Sequence, residues 1–323
     1  MLRKVWVGVV VLSFGAGLSL QTFSASAANP GYRMMCPTSI FPDLSQSIGA
    51  AAGVDKPYLS IACTAKDVII TSNGMISFPF VKMTPNSLKE QEWVWRIPLS
   101  PKIAPKATSI KNVLGTLGFT VTGIPIYGPT EGPIPASEAF GDPVYNRNLD
   151  ACGGHTGPAG DYHNHAITLS LACNLGQQAV VGYALDGFPI YTNIGCADNA
   201  CTQTLKLTSG YIQTGDPKTN SWSAYKYVKS VKNSVLDECN GRIEPDGTYG
   251  YHVTSSFPYI IGCFKGTYKE QSGKAGERMG SMTQDKKRNE KSSESKNQNS
   301  DDNKTESKSP SPRPTMSFST NHN

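Results

Sequence analysis

The chain has 323 residues, a formal net charge of +5 and 17% charged residues. So mild a charge names no partner, and no P-loop, dinucleotide fingerprint or zinc-finger spacing occurs in it. Glycine and proline are plentiful, 31 and 22, and both punctuate strands more readily than helices.

Residues 1–27 read as a secretory signal. Arg3 and Lys4 precede an apolar run from Val5 to Leu20, and Ala25-Ser26-Ala27 forms a small-residue cleavage site. The run is shorter than the roughly 20 residues a spanning helix needs. The expectation is therefore an exported mature protein, periplasmic or extracellular, without a membrane span. All eight cysteines follow the signal, which implies up to four disulfides and no free thiol. Cys36 with Cys63 and Cys196 with Cys201 are plausible neighbours, while Cys152, Cys173, Cys239 and Cys263 can pair in more than one way.

Residues 28–66 read as an N-terminal extension packed on the domain that follows, with a short helix candidate at 38–53. From 67 to 268 the pattern is mainly β. Asn73-Gly74 between apolar runs signals a hairpin, and Trp93 and Trp95 alternate with charged or aliphatic residues in a strand. Residues 98–108, with three prolines, read as an irregular connection. Strand-like composition returns at 113–128 and again at 179–192 around the Asp186-Gly187 turn; 197–232 has no firm assignment. From 269 to 323 the chain is polar and of mixed charge. It cannot bury enough surface to offset chain entropy, so a disordered tail is expected. That tail is no nucleic-acid arm, and it contains His322.

Two blocks stand out. Residues 149–173, LDACGGHTGPAGDYHNHAITLSLAC, hold three of the five histidines. Residues 236–263, LDECNGRIEPDGTYGYHVTSSFPYIIGC, align on them without gaps, matching Asp150 to Asp237, Cys152 to Cys239, Tyr162 to Tyr249 and His165 to His252. His155 falls on Arg242 and His163 on Gly250. Upstream of each block lies a shared phrase, GIPIYG at 123–128 and GFPIYT at 187–192. The repeat predicts one mainly β, disulfide-braced domain built from two diverged pseudo-symmetric halves, 121–173 and 181–263.

His163 and His165 are two apart, so on a strand both rings face the same side. The symmetry is expected to bring His252 to the same centre, with His155 nearby. With the cysteines oxidised, a nitrogen and oxygen site remains. Copper or zinc is favoured, and iron or manganese also fits such donors. Asp150 or Asp237 can serve as a ligand or orient a ring nitrogen, although both positions also fit turn caps. Packed structural histidines and metal-free acid–base chemistry are the competing readings of the cluster. Tyr162, Tyr249 and Tyr251 read as core.

Taken together, DYHNH, GTYGYH, LDACGGH, GYALDGFPIY and LDECNGR resemble the YHYH-domain proteins, named for a Tyr-His-Tyr-His motif, over about residues 72–266. The resemblance implies an exported protein with a metal-binding role and points to His155, His163, His165 and His252. Asn164 stands where the motif has its second tyrosine. The second copy, Tyr249-Gly250-Tyr251-His252, keeps one histidine, which argues against two equivalent sites. Three classes stay open: a non-catalytic metal-binding protein, a metal-dependent hydrolase or oxidase, and a structural or adhesion module. No HExxH or GxSxG motif names a reaction.

Overall fold

Alternation decides the first sheet. In β3 (Trp93–Pro98) the side chains of Trp93, Trp95 and Ile97 are buried while Val94 and Arg96 face water, the period-2 pattern of a half-covered strand. It pairs antiparallel with β2 (Asp67–Ser72), which pairs with β1 (Leu59–Cys63). The computed structural model describes residues 34–132, 140–175 and 179–268. The signal predicted at 1–27 and the tail predicted from 269 lie outside the described residues.

The main sheet is assembled from β5 (Gly118–Thr120), β6 (Pro125–Ile126), β7 (Gly154–Thr156), β8 (Tyr162–Asn164), β9 (Val180–Ala184), β10 (Pro189–Tyr191), β15 (Gly241–Ile243) and β16 (Tyr249–His252). Its order is β15-β16-β10-β9-β5-β6-β8-β7. Read from the centre outward, the two halves are the same: β5 answers β9, β6 answers β10, β8 answers β16 and β7 answers β15. Pairing sense repeats as well, with β6 parallel to β8 and β10 parallel to β16. Register repeats residue by residue. His155 lies opposite His163 in one outer hairpin, and Arg242 lies opposite Gly250 in the other.

The two-fold passes through the middle of the sheet, where Phe119 of β5 pairs with Tyr183 of β9. The flanking partners, Gly118 with Ala184 and Thr120 with Gly182, exchange under it. A Cβ at Gly118 would lie 2.6 Å from the Tyr183 carbonyl oxygen, and one at Gly182 would lie 2.5 Å from that of Phe119. Both glycines are thus required by the close approach at the axis. An aromatic column covers this seam: Trp93 stacks on Trp95, Trp95 on Phe119, and Phe41 on Tyr183.

The remaining strands frame the sheet. β4 (Ile103–Ser109) pairs with β17 (Cys263–Gly266). The hairpins β11 (Ile194–Cys196) with β12 (Thr204–Lys206), and β13 (Tyr211–Gln213) with β14 (Tyr225–Tyr227), lie between β10 and β15 in the chain. The single-turn helix α1 (Ser221–Ala224) precedes β14. No helix among the described residues is long and apolar enough to cross a membrane.

Three local expectations are corrected. The segment 98–108 is not irregular throughout: its second part is β4, where Pro105 is tolerated because pairing with β17 is interrupted by a register shift between Phe264 and Gly266. Asn73-Gly74 is not a tight hairpin turn, because β2 and β3 are joined through a loop spanning residues 73–92. Instead the Asn73 side chain accepts from the Tyr58 N–H and donates to the Lys56 carbonyl. The helix expected within 38–53 is a single 3-10 turn, Thr38–Ile40.

All eight cysteines are paired, as Cys36–Cys63, Cys152–Cys173, Cys196–Cys201 and Cys239–Cys263. Two of these begin at corresponding cysteines of the halves, Cys152 and Cys239. Because Phe119 is fully buried at the axis, Phe119→Ala should cost about 3–5 kcal/mol of stability. Equilibrium urea unfolding with disulfides intact measures this, and a loss below about 1 kcal/mol would contradict the placement of the core seam.

Candidate metal centre

The outer hairpin β7–β8 is closed by Gly157-Pro158-Ala159-Gly160-Asp161. The Gly157 N–H donates to the Asp161 carbonyl and the Gly160 N–H to that of Gly157. At its open end the Asp150 carboxylate accepts from the N–H groups of Cys152 and Gly154 and from the Tyr162 hydroxyl. Asp237 repeats this with Cys239, Gly241 and Tyr249. Both aspartates therefore brace turns through their side chains. Neither belongs, among the described residues, to the histidine group that could hold an ion, so their expected role at the metal is not supported.

His155 and His163 lie directly opposite one another in the register, so their rings share a face. His165, two residues past His163, is on that face too. The three ring centroids are 4.8, 5.1 and 4.9 Å apart, and each pair is steeply inclined, by 83, 83 and 73°. All three rings are buried, and one ligand atom from each lies within 4.8 Å of the others.

The nitrogens have distinct tasks. Nδ1 of His155 is 3.0 Å from the Asn148 carbonyl, Nδ1 of His163 is 3.1 Å from that of Asp161, and Nδ1 of His165 is 2.6 Å from that of Gly128. A carbonyl only accepts, so each Nδ1 carries a proton, which in the neutral ring leaves the lone pair on Nε2. Nε2 is thus the atom each neutral ring has left for an ion in this buried group. That of His165 has no hydrogen-bond partner among the described residues, and leaving a buried polar atom so is costly. Backbone anchoring of the far nitrogen is the usual support behind a metal-binding imidazole, so this group can hold a metal ion.

The surroundings hold the rings in place. Tyr127 stacks on His163 with centroids 4.0 Å apart and donates its hydroxyl to Asp161. Asn164, in place of a motif tyrosine, donates to the carbonyls of Cys152 and Ala166. Glu131 reaches the group from outside the hairpin, its Oε1 3.4 Å from His155 Nε2. Sequence reasoning passed over Glu131 and Tyr127. Their signal was their place in or just after GIPIYG, the phrase that also supplies the Gly128 anchor.

His252 is not brought to this group. Strands β8 and β16 are separated by five steps in the sheet order, roughly 24 Å at about 4.8 Å per step. A two-fold through the sheet centre sends corresponding residues to opposite edges, which is why the expected convergence does not occur. His252 keeps the shared anchor, Nδ1 to the Thr192 carbonyl at 2.7 Å, but its Nε2 is 2.7 Å from Glu244 Oε1. Both nitrogens are engaged at hydrogen-bond distance, and among the described residues the ring belongs to no group of three candidate ligands.

The architecture and the histidine cluster define a class, a two-fold β-sheet protein with an imidazole triad in one of its halves. A sequence model described as "YHYH protein" matches residues 94–266, and the chain belongs to that family. No curated protein and no solved structure matches it.

Burial, with help from His163, pushes His155 down to about 3. Burial and the two neighbouring rings hold His165 well below the ordinary imidazole range. In the unfolded chain both titrate near 6.5. Below that value the unfolded state binds more protons than the folded one, so folding is penalised. The metal-free protein should therefore keep full stability above about pH 6.5 and lose it as pH falls from there toward about 3. Urea midpoints at pH 7.5, 6 and 4.5 check this, with a shallower decline expected for His155→Asn. Identical declines in the two proteins would contradict it.

Proposed function

We propose that this is an exported metal-binding protein whose ion is held by Nε2 of His155, His163 and His165. The carrying observation is the carbonyl bonding at all three Nδ1 atoms, which leaves Nε2 of each neutral ring for an ion. Neutral imidazole suits zinc and copper, and a three-nitrogen set leaves a coordination position for a further group. Packed structural histidines fit less well, because a structural role gives no reason to leave the buried Nε2 of His165 without a partner. Export through a cleaved signal is supported by four disulfides, which persist in oxidising compartments.

Elemental analysis of the purified mature protein tests the reading. About one equivalent of a transition metal per chain is expected, falling to near zero in His165→Ala and unchanged in His252→Gln. Absence of metal after reconstitution with zinc or copper would sink the proposal, as would equal loss in both variants.

A further inference from the structure

The two halves provide an internal comparison. Carrying the register through GIPIYG and GFPIYT sets Tyr127 on Tyr191, Gly128 on Thr192 and Glu131 on Gly195. What supports the hairpins is kept: Asp150 and Asp237 bond Tyr162 and Tyr249, and His165 and His252 hang from corresponding carbonyls. Turn bonding is kept too, since the Glu244 N–H donates to Thr248 and the Gly247 N–H to Glu244, as Gly157 and Gly160 do in the first half.

What changes surrounds one point. His155 becomes Arg242, His163 becomes Gly250, Gly157 becomes Glu244 and Glu131 becomes Gly195. In the second half the Tyr191 ring fills the space a Cβ at Gly250 would need, and the Arg242 guanidinium lies 2.6 Å from where a Cβ at Gly195 would be. Glu244 accepts from both Arg242 and His252. A guanidinium and a carboxylate thus neutralise each other where the first half gathers imidazoles. Glu131 is lost together with two of the three metal-facing histidines.

In the first half Glu131 borders the group at one ligand, His155, while the ligand atoms within 4.8 Å of one another are those of the three histidines. Two ligands about 2.1 Å from a tetrahedral ion are separated by roughly 3.4 Å, and Glu131 Oε1 is 3.4 Å from His155 Nε2. The Glu131 backbone is pinned on both sides, its N–H to the Gly141 carbonyl and its carbonyl to the Phe140 N–H. Its side chain is 14% exposed, so the carboxylate is largely withdrawn from water. Near a buried divalent ion a carboxylate offsets part of a charge that is costly to bury alone.

We propose that Glu131 is the fourth protein ligand of the centre, completing a three-histidine, one-carboxylate site for a divalent transition-metal ion, and that the Arg242–Glu244–His252 cluster takes no ion. This rests on the metal reading of the histidine triad. The carboxylate oxygen widens the set of suitable ions toward manganese and iron(II) beside zinc and copper.

The test is titration of the oxidised, chelator-stripped full chain with cobalt(II), followed by visible absorption, with urea midpoints of the metal-free forms as a folding control. Wild type should take one cobalt per chain. Glu131→Gln should bind about 1,000-fold more weakly, beyond the roughly 10–100-fold cost of losing a group behind a ligand, with an altered d–d spectrum and an unchanged metal-free midpoint. Should Glu131→Gln fail to fold, Glu131→His supplies a nitrogen donor at the same place, and a shifted spectrum at one cobalt per chain supports the assignment. Wild-type affinity and spectrum in either folded variant would overturn the Glu131 ligand while leaving the histidine site standing. Two cobalt ions per wild-type chain would overturn the neutralised second half. No cobalt on wild type or on His252→Gln would overturn the metal reading beneath the proposal.

Discussion

The antiparallel pairing of Phe119 with Tyr183 sets the geometry of everything else. Because this pair lies on the two-fold, the copies are joined edge to edge in one continuous sheet and their functional hairpins face outward at opposite ends. A shared central site is thereby ruled out. Each hairpin must build its surroundings from its own half, and each was free to diverge. The seam tolerates this because its own requirements are local: two glycines without Cβ atoms where strands approach closely, and an aromatic column above them.

Divergence in this setting separates scaffold from chemistry within a single chain. The turn-bracing aspartates, their tyrosine partners and the carbonyl-anchored histidine recur in both halves, so they are needed to fold the hairpin whether or not an ion is present. Burial works against the Glu244 charge, yet bonds from His252 and Arg242 hold its carboxyl below the ordinary range. The second hairpin is therefore an electrostatically closed unit, while the first gathers three buried imidazoles. That asymmetry is the physical basis for assigning function to one edge of the sheet.

Much of this was legible in the residues. The repeat of Asp150, Cys152, Tyr162 and His165 at Asp237, Cys239, Tyr249 and His252 announced the two halves, and the H-x-H spacing placed two rings on one face. The position of the axis was not legible, since sequence similarity specifies that copies correspond but not which strands join them. A seam between β8 and β16 would have brought His252 inward; the seam between β5 and β9 sends it away. Pro101 and Pro105 hid strand β4, because proline usually demotes a strand. Glu131 escaped notice because its one signal, a place just after GIPIYG, is weak for a lone glutamate, and its counterpart Gly195 marks it as part of the changing set.

The central claim is that His155, His163 and His165 are held as Nδ1–H tautomers with Nε2 turned toward a common ion. Long-range proton–nitrogen NMR correlation of the imidazole rings, recorded before and after one equivalent of zinc, reads it directly. The account predicts protonated Nδ1 and bare Nε2 in all three rings, and a simultaneous shift of the three Nε2 resonances on zinc addition while His252 stays unmoved. A proton on any of those Nε2 atoms before zinc, or a shift at His252 in place of the triad, would contradict it.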